Sequence, residues 1–410
     1  MKDTNKPTGA SRLGTKLLNV IPMLLLVSLG YVLCMITSNP NLSKLNLPFM
    51  PPLSLPTPSS SPLPPPPPPT SSPPPPLPPP PSPPPPETPL ASPQNPELGL
   101  TSFIAPTGVM HNMTDAELFW RASMVPKVRR TPYNRVPKVA FMFLVRGALP
   151  LRPFWEKFFA GHEGLYSIYV HADPSYTGSP PADSVFYGRM IPSQKTRWGY
   201  MNLVEAERRL LANALLDHGN ERFVLLSESC IPVYDLPTVH AFLTGSGASF
   251  VDSYFSRGRY NDFFAARCNI TAAQWRKGSQ WFEMDRALAL EVVADETYFP
   301  EFREYCDTHD PCVMDEHYIA TLVSVLGWRR NANRTVTFTD WKRRSGNHPH
   351  THGAEEVTEE LLRGIRGDVG KNCTYNGRPG GICNLFARKF KPDALEPLLR
   401  LAPKVMGFGR

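Results

Sequence analysis

The apolar run Lys138-Val-Ala-Phe-Met-Phe-Leu-Val145 decides the fold class of this chain. A run of this length without alternating polar residues is typical of a strand that is buried on both faces of a sheet. Two further apolar runs lie downstream, at Leu165–Asp173 and Arg222–Glu228. Helical patterns occupy 150–160 and 200–218. Strands that alternate with helices predict an α/β domain with a mostly parallel central sheet covered by helices.

In such a sheet, ligands bind beyond the carboxyl ends of the strands. That rule places Arg146, Asp173 and Glu228 near the mouth of a site. The Asp173 carboxylate is suited to accept hydrogen bonds from a nucleobase or a ribose, although a turn carboxylate before Pro174 is the alternative interpretation. Trp198 lies just before the second helical pattern, where it either stacks on a base or belongs to the core.

The second half of the chain contains a candidate general base. Asp315-Glu316 precedes an apolar helical stretch that runs to Leu326. We expect Asp315 to cap this helix and Glu316 to lie in its first turn, where the helix dipole favours a charged carboxylate. A charged carboxylate beside a sugar hydroxyl is a suitable general base. A solvated helix start is the alternative, because an Asp-Glu pair alone is a weak signal.

A loop that carries cations follows further along the chain. Cys373 and Cys383 bracket Arg378, and Lys389 follows the second cysteine. Fixed Arg and Lys side chains are suited to hold a leaving diphosphate. The sequence contains no Asp-x-Asp motif. We therefore expect fixed cations, rather than a metal ion, to take that charge.

A histidine-rich stretch, His348-Pro-His350-Thr-His352, is the strongest metal-binding candidate in the sequence. It lies in a loop rich in Gly, Asn and Pro, and no cysteine or carboxylate stands at a recognisable ligand spacing from it. We therefore predict no metal site and no cofactor.

The N-terminal region predicts a membrane anchor. Residues 17–36 form a run of twenty residues without a charge, which is long enough to span a hydrocarbon core of ~30 Å. Four basic residues precede the run, and Lys44 is the first charge after it. The positive-inside rule then places residues 1–16 in the cytosol and the rest of the chain in a lumen or outside the cell. A cleaved secretory signal is the alternative.

A proline-rich stem and linker is predicted for 37–131, and a lumenal domain for 132–410. Of the 49 prolines, 27 lie between Pro48 and Pro96. This composition favours an extended polyproline II rod that holds the domain away from the bilayer. The repeats at Ser72 and Ser82, each followed by four prolines, resemble those of plant extensins, which would make the stem itself glycosylated.

Cysteines and glycosylation sequons agree with a lumenal location. Six cysteines follow the apolar span, and an even number in an oxidising compartment allows three disulfides. The sequons lie at Asn41, Asn112, Asn269, Asn333 and Asn372. The formal net charge of +7 is spread along the chain without a dense basic block, so nucleic acid is not an expected partner.

Residues 132–410 resemble the core-2/I-branching β-1,6-N-acetylglucosaminyltransferase family (glycosyltransferase family 14), in the plant branch that includes the brittle-culm enzymes. The segments that carry the resemblance are Tyr169–Pro174, Arg222–Pro232, Arg276–Phe282, Asp315–Tyr318 and Cys373–Lys389. The resemblance implies a GT-A-like fold and a metal-independent, inverting transferase of type II topology in the Golgi membrane. Its expected partners are a UDP-sugar, a glycan acceptor and the lipid bilayer.

The resemblance also assigns roles to individual residues. Glu316 matches the catalytic base, and Arg378 and Lys389 match the cations that bind the diphosphate. Asp173 matches the acid that binds uridine, and Trp198 matches an aromatic residue that packs against uracil. Trp341 and Asp252 match residues of the acceptor site. Cys373 and Cys383 match a family disulfide. The spacing of Cys306 and Cys312 allows a local bridge, which leaves Cys230 and Cys268 as a candidate third pair.

Three functions are compatible with this pattern. The first is transfer of N-acetylglucosamine from UDP-N-acetylglucosamine. The second is transfer of glucuronic acid by the same fold to arabinogalactan or xylan-like glycans, which would need a cation dedicated to the donor carboxylate. The third is a non-catalytic, proline-rich scaffold of the wall or the Golgi, against which the retained Glu316, Arg378 and Lys389 argue.

Overall fold

The computed structural model describes residues 100–106, 108–128, 130–367 and 373–409. The predicted cytosolic tail and membrane anchor, most of the predicted stem, and the sequons at Asn41 and Asn372 lie outside the described residues. Within the described part of the chain, no helix has both the length and the apolar character needed to cross a membrane. The sequons at Asn112, Asn269 and Asn333 are exposed.

The domain contains helices α1–α11 and strands β1–β11. The helices are α1 (Leu100–Ile104), α2 (Asp115–Ala122), α3 (Arg152–Phe159), α4 (Met201–Leu215), α5 (Leu236–Thr244), α6 (Asp262–Cys268), α7 (Arg286–Ala294), α8 (Phe299–Thr308), α9 (Tyr318–Val325), α10 (Glu359–Arg366) and α11 (Leu395–Leu401). The strands are β1 (Lys138–Leu144), β2 (Tyr166–His171), β3 (Asn220–Ser227), β4 (Ile231–Pro232), β5 (Tyr254–Phe255), β6 (Arg276–Lys277), β7 (Glu283–Asp285), β8 (Thr337–Thr339), β9 (Cys373–Tyr375), β10 (Arg378–Gly380) and β11 (Phe386–Arg388).

The central sheet has the strand order β2-β1-β3-β7. Strand β1 runs parallel to both β2 and β3, whereas β7 is antiparallel to β3. Phe141, in the middle of β1, pairs with Ile168 and Val224 on the two neighbouring strands. Its neighbours from Val139 to Phe143 are fully buried. The prediction of an α/β domain with a mostly parallel sheet is confirmed.

Helix α3 covers one face of the sheet with aromatic side chains. Phe154, Trp155, Phe158 and Phe159 are buried, and spacings of three and four residues place them on one side of the helix. Phe141 of β1 meets Trp155, Phe158 and Phe159 edge-on. This contact fixes the end of β1 relative to the helix that follows it.

A second sheet of order β4-β11-β8 brings the C-terminal part of the chain to the central sheet. Strand β11 is antiparallel to β4 and parallel to β8. The backbone N–H of Phe390 donates to the carbonyl of Ser229, at 3.0 Å. Arg388 and Lys389 are thereby placed next to the loop that follows β3.

The packed domain begins before the predicted boundary at residue 132. Helix α2 buries Leu118 and Ala122, and its Asp115 forms an ion pair with Arg209 of α4 at 2.8 Å. The N–H of His218 donates to the carbonyl of Ile104 in α1, at 2.8 Å. Helices α1 and α2 therefore belong to the domain rather than to the stem.

The predicted helix from residue 315 to 326 is divided in two. Residues Met314–Glu316 form a 3₁₀ turn, and α9 begins only at Tyr318. Asp315 is buried and does not cap α9, whose N-cap residue is His317. The expected cap at Asp315 is wrong, because its side chain points into the protein rather than toward the free N–H groups of the helix.

Two of the three candidate disulfides are present. Cys306 bonds to Cys312, and Cys373 bonds to Cys383. Cys230 is buried beside β4 and Cys268 ends α6, and both are free thiols. The candidate third pair is wrong, because the Cys230 sulfur accepts the Ser227 N–H at 3.2 Å whereas the Cys268 thiol donates to the Phe264 carbonyl at 3.3 Å.

Candidate active site

Two cavities that share lining residues lie next to each other, and the first of them lies at the carboxyl ends of β1 and β3. The first, which we call the strand-end cavity, has a volume of about 840 Å³ and is lined by residues from 144–148, 227–229 and 388–392. The second, the carboxylate cavity, has a volume of about 470 Å³ and contains Asp252, Asp315 and Glu316. The cavities share a wall made of Trp198, Gln280, Trp281, His348, Arg388 and Lys389.

The structure brings five of the predicted site residues together. Glu316, Asp252, Trp341, Trp198 and Lys389 all line the carboxylate cavity, and the last two also line the strand-end cavity. Trp198 is 53 % exposed, so it does not belong to the core, and Trp341 is 49 % exposed. Both rings are available to stack against a planar or sugar ligand.

Asp173 follows β2, as predicted, but it is absent from the lining of both cavities. Its carboxylate accepts hydrogen bonds from the Ser175 hydroxyl at 2.6 Å and from the Ser175 N–H at 2.9 Å. These two bonds hold the pKa of Asp173 below its ordinary value. Asp173 therefore forms the local turn that was the alternative interpretation, and its contact with uridine stays a prediction.

Arg378 lies apart from the other predicted residues. It belongs to the β9–β10 hairpin, whose Asn376 donates to the carbonyl of Gly245 just past the end of α5, at 3.0 Å. Arg222, near the start of β3, donates to the neighbouring carbonyl of Ala248. The hairpin thus docks near the amino end of β3, while the strand-end cavity lies at its carboxyl end. Arg378 is exposed there and lines neither cavity.

Glu316 is paired with a lysine that the sequence analysis did not select. The ammonium of Lys277 lies 3.0 Å from a carboxylate oxygen of Glu316. Burial lowers the pKa of Lys277, but the hydrogen bond and charge of Glu316 outweigh it and leave the pKa raised. Lys277 is therefore a stable cation beside the candidate base.

Gly278 explains how the acidic residues converge. A side-chain carbon at this position would lie 1.8 Å from the carbonyl oxygen of Asp252, so only glycine allows the two segments to approach. The Gly278 N–H also donates to the carbonyl of Glu316, at 2.8 Å. One glycine thus joins the segments that carry Asp252, Lys277 and Glu316.

Asp315, which lines the carboxylate cavity, interacts with the fully buried carboxyl group of Glu207. Burial, followed by repulsion from Glu316, raises the pKa of Asp315 to about 7. Burial, followed by repulsion from Asp315, raises the pKa of Glu207 well above its ordinary value. Gln280 donates to Glu207 at 2.8 Å and also lines both cavities. This side of the cavity therefore tends to hold protons.

Arg388 is another residue that the sequence analysis passed over. Its guanidinium carbon lies 4.0 Å from the centroid of the Trp281 ring, in the wall common to both cavities. Its position immediately before Lys389 was the only signal in the sequence that could have drawn attention to it.

The histidine-rich stretch does have a carboxylate neighbour. His350, His352 and Glu356 offer ligand atoms that lie within 4.8 Å of one another, so the expectation that no carboxylate accompanies these histidines is wrong. A guanidinium already occupies the cluster, because Arg343 contacts Glu356 at 2.9 Å and His352 at 3.2 Å. The cluster ties together the loop that carries Trp341.

Comparison with known proteins agrees with this architecture. The family model described as "Branch: Core-2/I-Branching enzyme" matches residues 139–366, more than half of the chain. The rice (Oryza sativa subsp. japonica) protein "Glycosyltransferase BC10" is 36 % identical over 309 residues, which cover 65 % of this chain and 76 % of the rice protein. As the resemblance in the sequence predicts, the chain belongs to the core-2/I-branching enzyme family and is a glycosyltransferase.

Proposed function

We propose that this glycosyltransferase moves a sugar, N-acetylglucosamine in the leading case, from a UDP-sugar to a hydroxyl of a glycan acceptor, with inversion and without a metal ion. The observation that carries the proposal is the shared wall between a cation-lined cavity and the cavity that holds Glu316. A donor in the first cavity and an acceptor in the second would meet at this wall.

The strand-end cavity is suited to the donor. Its charged lining is Arg146, Glu228, Arg388, Lys389 and Lys391, so cations outnumber the single carboxylate. Its volume of about 840 Å³ falls in the range of small-molecule sites, roughly 300–1,000 Å³. The exposed ring of Trp198 provides a surface for stacking.

The carboxylate cavity is suited to the acceptor. In the proposed step, a carboxylate oxygen of Glu316 takes the proton of the acceptor hydroxyl while the hydroxyl oxygen bonds to the anomeric carbon. The bond from the anomeric carbon to the β-phosphate oxygen breaks, and its electron pair leaves with UDP. Lys389 lies in the shared wall, where its charge stabilises the departing diphosphate.

Lys277 supports the assignment of Glu316 as the base. The Lys277 ammonium lies 3.0 Å from a carboxylate oxygen of Glu316, and both side chains line the carboxylate cavity, so this contact orients the carboxylate toward the space that an acceptor would occupy. Trp341 and Asp252 line the same cavity and are placed to bind the acceptor sugar by stacking and hydrogen bonding.

A Golgi location with type II topology belongs to the same proposal. It rests on the uncharged run at 17–36 and the four basic residues before it. Two disulfides and three exposed sequons among the described residues agree with folding in an oxidising lumen.

Calorimetry on the purified full-length protein tests the proposal. The protein is titrated in EDTA with UDP-N-acetylglucosamine, UDP-glucuronic acid and other UDP-sugars. We expect saturable binding of one of them, which would also name the donor. The absence of binding in a folded sample would overturn the proposal, and transfer that requires manganese would overturn its metal-free mechanism.

A further inference from the structure

The charge of Glu228 acts on the Arg388 guanidinium, but the Glu228 carboxylate is itself ion-paired with Arg146, at 2.9 Å. Among the described residues, no carboxylate forms an ion pair with Arg388, and its buried Nε has no hydrogen-bond partner. Its polar contact is the thiol of Cys230, and burial raises the pKa of that thiol, which keeps it neutral. Burial also lowers the pKa of Arg388 itself.

Other buried arginines of the domain have oxygen partners. Arg222 contacts both carboxylate oxygens of Glu283 at 2.6 Å. Arg208 donates to three backbone carbonyls, between 2.8 and 3.2 Å. Removing a cation from water without such partners is costly. Unlike Arg222 and Arg208, Arg388 has no oxygen partner among the described residues, and this difference indicates that a ligand supplies the anion.

The ring of Trp281 holds the Arg388 guanidinium in place. The distance of 4.0 Å from the guanidinium carbon to the ring centroid is that of a cation–π contact. A guanidinium that is held on an aromatic face loses little entropy when its donors engage a ligand, and its planar fork matches a phosphate bidentately. The side chain is thus preorganised rather than mobile.

We propose that Arg388 is a binding residue for the donor diphosphate, and that with Lys389 it supplies the pair of cations that the resemblance assigns to Arg378 and Lys389. The inference rests on the proposed function and names a contact within that site. An anionic acceptor is a poorer ligand for Arg388, because the cavity on that side is lined by three carboxyl groups as well as by cations. The strand-end cavity, in contrast, has one carboxylate, Glu228, and adds the cations Arg146 and Lys391.

The test compares UDP with uridine in calorimetric titrations of the full-length protein. Arg388→Met keeps the aliphatic contact with Trp281 and removes the charge. Losing charge-assisted hydrogen bonds should weaken UDP binding about 10- to 100-fold, while uridine binding should change less than about twofold. The melting temperature without ligand should rise or stay unchanged, since an unpaired charge has been removed.

Arg330→Met is the matched control. Arg330 also lies over a tryptophan, with its guanidinium carbon 5.3 Å from the Trp328 ring centroid, but it has the Asp285 carboxylate as a partner and lines neither cavity. Its replacement should leave UDP binding unchanged. Arg388→Lys keeps a charge without the planar fork and should weaken UDP binding to an intermediate degree.

Two results would overturn the inference alone. One is unchanged UDP binding by Arg388→Met while the wild type binds UDP. The other is an equal loss of UDP and uridine binding with a lowered melting temperature, which would make Arg388 a structural residue. If Arg388→Met does not fold, the same comparison of UDP with uridine in Arg388→Lys decides. A folded wild type that binds no UDP would overturn the proposed function, and this inference with it.

Discussion

The two cavities differ in the number of carboxyl groups that line them, which is one in the strand-end cavity and three in the carboxylate cavity. In the strand-end cavity, four cations accompany one carboxylate, Glu228, which is paired with Arg146 at 2.9 Å. In the carboxylate cavity, four cations accompany three acids, and one of these acids, Glu316, is paired with Lys277. The first environment favours an anionic ligand, and the second favours a group that gives up a proton. Under the proposed function, this difference separates a donor side from an acceptor side.

The largest expected effect comes from the base. Glu316→Gln keeps the shape of the side chain but cannot take a proton, so transfer should fall by about 10²–10⁴-fold. UDP binding should stay within about twofold of the wild type, because Glu316 does not line the strand-end cavity. Turnover and UDP calorimetry on the same preparation measure both. Glu296→Gln, an exposed carboxylate away from both cavities, is the control, and unchanged turnover of Glu316→Gln would remove Glu316 as the base.

The next effect tests the charge of the strand-end cavity. Lys389→Met should weaken UDP binding about 10- to 100-fold, since a cation beside the diphosphate is lost. Uridine binding should hardly change. Isothermal titration with UDP and with uridine measures the two affinities separately. The control is Lys342→Met, a change at an exposed lysine outside both cavities, which should leave both affinities unchanged. An equal loss for UDP and uridine would contradict a contact between Lys389 and the diphosphate.

A moderate effect on stability is expected from Asp315. Its pKa is raised from 3.8 to about 7, by burial first and by the charge of Glu316 second. The charges of Arg259 and Lys277 lower the pKa of Asp315 but do not cancel this rise. Glu207 faces Asp315, whose charge raises the pKa of Glu207 in turn. Between these pH values the folded protein holds a proton that the unfolded chain has released, so this carboxyl makes stability fall as pH rises from about 4 to 7.

Asp315→Asn removes that dependence. The variant should be more stable than the wild type at pH 8, by about 1–3 kcal/mol, and the advantage should shrink toward pH 4. Denaturant unfolding at several pH values measures it. An advantage that is equal at pH 8 and pH 4, or larger at pH 4, would mean that Asp315 is not the titrating group.

The order of elements was predictable because it depends on local patterns. Apolar runs predicted β1, β2 and β3, and helical spacing predicted α3 and α4 between them. The rule that sites lie at the carboxyl ends of strands then located the strand-end cavity. Glu316 was identified through its resemblance to a family motif, and the structure places it beside Asp252 and Trp341.

Non-local contacts were not predictable in the same way. Lys277 and Glu316 are far apart in sequence, and their pairing depends on the close approach at Gly278. Asp315 was predicted to cap an α-helix, but it lies in a 3₁₀ turn and is buried. Its burial depends on distant parts of the chain, so no local pattern in the sequence shows it. The unpaired state of Arg388 is also a property of its surroundings rather than of its own segment.

The smallest effect is expected at the hairpin, and it distinguishes resemblance from geometry. The resemblance assigns Arg378 to the diphosphate, whereas the structure docks its hairpin past the end of α5 through Asn376 and Gly245. Arg378→Ala should therefore change UDP affinity by less than about twofold, in contrast to Lys389→Met. Calorimetry under identical conditions makes the comparison direct. A loss with Arg378→Ala as large as that with Lys389→Met, and confined to UDP, would mean that the hairpin moves to the site when the donor binds, because its present position is too remote for contact.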